Sequence, residues 1–422
     1  MNDTPKINFQ YFCDILNSQV TEDKKKIIFS DLHLRGNKKI YIRKNGILEP
    51  HDEKIILSHT DILNIIQEII DYKYKDIPKE TKDLILNDLK NNSKELDMSL
   101  ELPMKDGSKP IFRARLNILK TNGTYGIVLR VIPTHHMTLD DLNLFPEHTQ
   151  IIKKMLKRKE GLILITGQTG SGKSTTMAAM LNEINMTAKK HIITIEDPVE
   201  FYHHDKKSLI THREVGPYSD TITFEKGIRA ALREDPDVIQ IGEMRDSETA
   251  LSALQAAQTG HIVLATLHTN NCAETILRLI DMFPSEKTKG VKNSLANSLL
   301  MIVSQRLVKN IKGKYILVYE ILTKHSAIST LLIKDDFSKQ MIFDTMASKQ
   351  EEGMLPLNYC LKRRIEETND YNMKISVEAA KEITYDEKQL TSLLKNSAII
   401  QNTNSPKVSI KPTSDFDNKW DN

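Results

Sequence analysis

Residues Gly167 to Thr175 read GQTGSGKST, which fills every fixed position of the pattern G-x-x-x-x-G-K-[ST]. The flanks suit the pattern. Leu162, Ile163, Leu164 and Ile165 predict a short buried strand before it. The stretch from Ser174, with Met177, Met180, Leu181 and Ile184, predicts a helix after it. Strand, glycine turn and helix form a cradle in which backbone N–H groups and the helix N-terminus meet phosphate oxygens. The glycines let the backbone curl that tightly. The nucleotide site predicted is therefore Gly167, Gln168, Thr169, Gly170, Ser171, Gly172, Lys173, Ser174 and Thr175. Lys173 reaches the β/γ-phosphates, and Ser174 offers its hydroxyl to Mg²⁺.

A chain of 422 residues has room for two or three domains. Its net charge of +3 is too small to imply a large nucleic-acid footprint, so no direct nucleic-acid binding is expected. Three scattered cysteines, Cys13, Cys272 and Cys360, give neither a disulfide framework nor metal-ligand spacing. The N-terminus lacks the apolar core of a secretory signal, and no apolar run approaches the roughly 20 residues of a membrane span. A cytoplasmic chain, peripheral through partners, is expected.

The pattern along the chain predicts an α/β protein. Residues 1–135 read as a small domain. A helix carrying Phe9, Phe12, Ile15 and Leu16 opens it, strands follow near 27–34 and 39–43, and a helix covers 62–72. Strands near 96–102, 111–118 and 125–132 close it. The turns are Lys44-Asn45-Gly46, Lys105-Asp106-Gly107 and Thr121-Asn122-Gly123. Residues 136–147 read as a linker. Residues 148–365 open with a helix over 150–158 and continue as strand-loop-helix units, the signature of a parallel sheet, with strands at 162–166, 191–195, 238–241 and 262–266. Beyond Pro284 mostly helix is expected, clearest at 291–307 and 355–367. Residues 366–400 read as a helical extension. Residues 401–422, with the lone Trp420, read as a disordered tail.

Acidic residues at strand ends are the next resource. The second strand runs into Glu196, Asp197, Pro198, Val199 and Glu200, where Glu200 is the candidate general base. The third ends Val238-Ile239-Gln240-Ile241-Gly242-Glu243; Glu243 is the candidate for orienting hydrated Mg²⁺, with glycine where an aspartate is usual. Arg245 and Asp246 follow and are placed to pair with each other. His261 and His268 bracket the fourth strand. The residues alone leave them as strand-end hydrogen-bonding groups or as sensors of a γ-phosphate. Arg229 and Arg233 are spaced i, i+4 on a helix. Arg113 and Arg115 share one strand face by the period of two, with Arg130 on the neighbouring strand. They are a solvated basic face or a γ-phosphate clamp.

In chain order, GQTGSGKST, TIEDPVEF, ALREDPDVIQIGEMRD and TGHIVLATLHT, followed by ETILRLIDMFP, resemble the secretion ATPase superfamily. Within it they are most similar to the PilT/PilU-type retraction ATPases of type IV pili. In the first domain SDLHL, FRARLN and LRVIP match as well. The resemblance implies a RecA-like P-loop ATPase domain with a parallel sheet, plus an N-terminal PAS-like α/β domain. It implies ATP and Mg²⁺, with Glu200 as catalytic glutamate, Glu243 as acidic strand-end residue, and His261 and His268 as the histidine box. It implies that Arg113, Arg115 and Arg130 close over a neighbour's nucleotide. It also implies a homohexameric ring that turns hydrolysis into domain rotation and docks on an inner-membrane platform protein.

Two departures matter. The three cysteines cannot form the four-cysteine zinc insertion of extension ATPases, which favours retraction. The retraction type carries Ala-Ile-Arg-Asn-Leu after the core, and here Ala327-Ile328-Ser329-Thr330-Leu331 stands instead. The ATPases of conjugal transfer and type IVB secretion therefore remain an alternative. A low-turnover nucleotide-binding ring is the reading from another class.

Overall fold

A computed structural model describes residues 7–18, 29–44, 46–52, 54–91, 95–101, 112–133, 137–334, 336–367 and 370–395. The turn Lys105-Asp106-Gly107, Asn45 and the tail 401–422 lie outside the described residues. In the first half the elements are α1 (Phe9–Ser18), β1 (Phe29–Arg35), β2 (Lys38–Lys39), β3 (Tyr41–Lys44), β4 (Ile47–Pro50) and β5 (Ile56–Leu57). Then come α2 (His59–Lys73), α3 (Lys79–Asn91), β6 (Leu96–Glu101), β7 (Phe112–Thr121) and β8 (Thr124–Pro133). The main sheet is antiparallel, in the order β4-β3-β1-β8-β7-β6. The β7–β8 hairpin turns through Asn122 (φ 46°) and Gly123 (φ 76°), a two-residue turn whose twist matches that of the strands. Helix α2 starts on a capping box, Ser58 with Asp61, and buries Ile62, Ile65, Ile66, Ile69 and Ile70 on one stripe against that sheet.

The second half contains α4 (Pro146–Leu156), β9 (Gly161–Thr166), α5 (Lys173–Thr187), β10 (His191–Glu196), β11 (Leu209–Glu214), α6 (Phe224–Ala231), β12 (Val238–Ile241) and α7 (Ser247–Gln258). It continues with β13 (Ile262–Leu267), α8 (Cys272–Asp281), α9 (Ser285–Ser298), β14 (Leu299–Lys309), β15 (Tyr315–Thr323), α10 (Ser326–Ile333) and α11 (Lys339–Ser348). Helices α12 (Leu357–Glu366), α13 (Val377–Lys381) and α14 (Glu387–Lys395) complete it. The sheet order is β11-β10-β12-β13-β9-β14-β15, parallel from β11 to β14, with β15 antiparallel at the edge. Helices α4, α5 and α12 to α14 cover one face; α6 to α11 cover the other. The central strands are buried on both sides, which is why they read as continuous apolar runs. All three cysteines are buried and free.

One expectation fails clearly. Residues 291–307 are not one helix, because α9 ends at Ser298 and β14 begins at Leu299. Leu299 to Val303 form an apolar run whose periodicity does not separate helix from buried strand. The open edge of β9 decides it: Met301, Ile302 and Val303 pair with Ile163, Leu164 and Ile165. β15 then folds back on β14, so the segment after Pro284 is less helical than expected. The helix expected over 150–158 begins earlier, at Pro146, whose fixed φ suits a first helical turn.

Residues 137–145 pack on the larger sheet: Leu139, Leu142, Leu144 and Phe145 are buried there. The Phe145 N–H donates to the Tyr319 hydroxyl at 2.9 Å, and His148 Nδ1 lies 2.9 Å from the same oxygen. Burial pushes the His148 pKa down to about 4, so the ring is neutral here. Tyr319→Phe strands the buried Phe145 N–H, an expected loss of about 1–2 kcal/mol. A fall of a few degrees in the thermal midpoint checks it; an unchanged midpoint denies the hydroxyl this role.

Candidate functional site

Six parallel strands end on one side of the larger sheet, and the loops after β9, β10, β12 and β13 line a cleft of about 950 Å³. Ligands bind there in open α/β sheets. β9 runs into the glycine loop, where Gly167, Gly170 and Gly172 take φ of 144°, 80° and 88°. L-side chains rarely adopt these values, so glycine is required. α5 begins at Lys173, and its amino end faces the cleft. Lys173 Nζ donates to the carbonyls of Gly167 (2.8 Å) and Gln168 (3.1 Å). Burial lowers its pKa, against the pull of Glu243 and Glu200. Thr169, Gly170, Gly172, Ser174 and Thr175 line the cleft. Ser171 sits behind the loop, buried, and Gln168 donates to Asn270.

The acidic candidates converge on the same cleft. Glu243 Oε1 lies 3.3 Å from His268 Nε2, and its Oε2 accepts from Arg245 Nε at 2.8 Å. His268 Nδ1 is 3.4 Å from Lys173 Nζ, so one imidazole bridges the lysine and the acid. Arg245 reaches on to Asp197 at 3.7 Å, while Asp246 caps α7 through the Thr249 N–H; the expected Arg245–Asp246 pair does not form. Glycine at 242 has a steric cause. A Cβ there would stand 3.3 Å from both Glu196 Cα and the Ile195 carbonyl.

The histidine pair is split. His268 is in the cleft, but His261 stands at the opposite end of β13, roughly 20 Å away by strand rise. There its Nδ1 lies 3.1 Å from the Ala256 carbonyl, and it does not line the cleft. Arg229 pairs with Glu225 on α6, and that helix ends at Ala231, so Arg233 is beyond it.

The small sheet supplies the roof. Arg115 and Arg130 are register partners on β7 and β8, and both line the cleft. Arg115 Nη1 is 3.9 Å from Glu200 Oε1, and Arg130 Nε bonds Asp31 at 2.8 Å. Arg113 shares their face but stays at the seam: its Nη2 donates to Ser99 Oγ at 2.9 Å, and its guanidinium lies 4.9 Å from the Tyr202 ring centre. Lys73 bonds Glu214 at 3.2 Å across the same seam, and Ser99 Oγ donates to Glu214 as well. These contacts put the arginine face over the chain's own phosphate loop, whereas the resemblance implied a neighbour's.

Two wall residues carried no clear role in the sequence. Gln240 points into the cleft from β12 on the α5 side. Glu196, at the end of β10, is buried, and its Oε1 finds no hydrogen-bond partner among the described residues. No group of three or more metal-ligating side chains is assembled among the described residues. Ser174 and Glu243 are a sparse oxygen set of the kind that suits magnesium when phosphates and water complete its shell.

Residues 51–342 match the family model described as type II/IV secretion system protein. The chain is 39% identical over 337 residues to the type IV pilus retraction ATPase PilT of Pseudomonas aeruginosa, covering 79% of this chain and 89% of that one. Among solved structures it resembles the pilus retraction motor PilT with bound ADP, at 34% identity and a TM-score of 0.71 over 86% of this chain and 95% of that one. It also resembles the ATPase DotB of Legionella pneumophila, at 26% identity and a TM-score of 0.72 over 91% and 98%. The larger sheet is thus RecA-like, as expected, and the antiparallel first sheet fits the PAS-like reading.

Loss of water pushes the Glu196 pKa up to about 7 from 4.5. A carboxyl that holds its proton longer when folded stabilises fully below 4.5 and loses that contribution as pH rises through about 7. Glu196→Gln cannot ionise. Its thermal midpoint relative to wild type should climb between about pH 5 and about pH 8. A flat difference would place this titration elsewhere.

Proposed function

The chain belongs to the type II/IV secretion system protein family, and on that premise we propose that it is an ATPase motor that powers retraction of a type IV pilus. The observation that carries this is a cleft holding the phosphate loop, Glu200, Glu243 and, from the small sheet, Arg115 and Arg130. ATP lies with its phosphates along the loop N–H groups, and Lys173 neutralises the β/γ oxygens. Ser174 and Glu243 are the residues to hold Mg²⁺, which when bound screens the phosphate charge. Glu200 takes the proton of the attacking water, and Arg115 and Arg130 stabilise charge growing on the transferred phosphoryl group. His268, touching both Lys173 and Glu243, registers whether the γ-phosphate is present. Arg113 fixes the roof, and His261 has a role only where a neighbouring subunit reaches it.

The family resemblance supports a homohexameric ring and an inner-membrane platform as the docking partner. No helix among the described residues is long and apolar enough to cross a membrane. A second reading, the ATPase of a conjugal or type IVB secretion system, is favoured by Ser329. It stands where the retraction type has arginine, and bonds the Ala296 carbonyl on α9 at 3.0 Å.

Steady-state hydrolysis by the purified chain tests the chemistry. Glu200→Gln should lower kcat by about 10²-fold or more, and Glu243→Ala should abolish turnover, with nucleotide affinity kept in both. Wild-type turnover in either variant rejects its assignment. Counting surface pili tests the pathway. Excess pili without twitching in a deletion strain complemented with Glu243→Ala means retraction; normal or absent pili move the role to secretion or transfer.

A further inference from the structure

The phosphate loop is held from behind at two points, and both lead to the C-terminal helices. Gln305 on β14 donates Nε2–H to the Ser171 carbonyl at 2.8 Å. Its own carbonyl presses on the start of the loop, where a Cβ at Gly167 would lie only 2.4 Å away. Its neighbour Arg306 donates to the Ile383 carbonyl at 2.6 Å, and its guanidinium covers the Tyr385 ring, 4.7 Å from the centre. The Tyr385 hydroxyl donates to the Asn270 carbonyl. The Asn270 side-chain oxygen accepts from Gln168 Nε2 at 3.2 Å, back in the loop. Tyr385 lies between α13 and α14, whose Ala380, Leu390 and Leu394 are sunk in the core. Neither Gln305 nor Tyr385 lines the cleft.

We propose that Tyr385 is a positioning residue. Through Asn270 and Arg306 it fixes the second and fifth residues of the phosphate loop, so the segment 377–395 sets the rate of ATP turnover in the same chain. This rests on the nucleotide reading above. A loop with three left-handed glycines has little stiffness of its own, and loop geometry is what presents N–H groups to phosphate. A phenol hydroxyl is protonated at neutral pH, so Tyr385 is a donor to the Asn270 carbonyl.

Tyr385→Phe in the full chain keeps the ring under Arg306 and deletes only the hydroxyl. The expected result is a kcat about fivefold lower, with KM unchanged and the thermal midpoint lowered by no more than a few degrees. Amide hydrogen exchange should quicken in residues 168–172 and stay unchanged in the middle of α5. Gln305→Met, which removes the second hold, should move both readouts the same way. Wild-type kcat in Tyr385→Phe, or loop exchange that does not respond, overturns the proposal. So does a lower midpoint with normal turnover per folded molecule, which is a structural role only. A wild-type chain without hydrolysis instead rejects the ATPase reading, and loop exchange then decides the brace alone.

Discussion

The carboxylate of Glu214 is almost without water, and the relation of the two sheets depends on it. A charge in that position is tolerable only when paired and hydrogen-bonded. Lys73 from α2 supplies the charge, Ser99 from β6 a hydroxyl, and Arg113 locks Ser99 from the other side. Both donors to Glu214 come from the first half of the chain, one from α2 and one from β6, and the acceptor lies on β11 of the large sheet. The pairing therefore fixes where β7 and β8 lie, and with them Arg115 and Arg130.

That placement gives the cleft its electrostatic character. Acids from β10 and β12 face the lysine of the loop, and the arginines close the side away from the large sheet. The polar groups form a chain rather than isolated pairs: Lys173, His268, Glu243, Arg245 and Asp197 touch in succession. The chain of contacts runs from Lys173, after β9, to Asp197, after β10, three strand ends away. Arg115 of the small sheet faces Glu200 in the same cleft.

What the sequence made legible was local. The phosphate loop is nine consecutive residues whose chemistry is written in their order. The arginine face follows from the period of two on β7. The apolar run of β14 defeated periodicity because it is buried on both faces, and its identity depends on pairing with β9, far back in the chain. β11 escaped notice for the opposite reason: its residues are mostly half-exposed and polar, as an edge strand allows. His261 and His268 look equivalent beside a short strand, yet a strand's length separates them. The seam at Glu214 and the brace at Gln305 join residues more than a hundred positions apart, and no local pattern announces them.

The cysteines have a use that their lack of chemistry supplies. Burial pushes the Cys13 thiol up to about 12, Cys272 well above its ordinary value and Cys360 upward as well. A thiol that stays protonated and out of reach does not attack maleimides or disulfides. The native chain is therefore silent to thiol-directed labelling without any cysteine being removed. Dyes on cysteines introduced at exposed positions of the two sheets would report the distance between them, in a background where every native side chain of the core is intact.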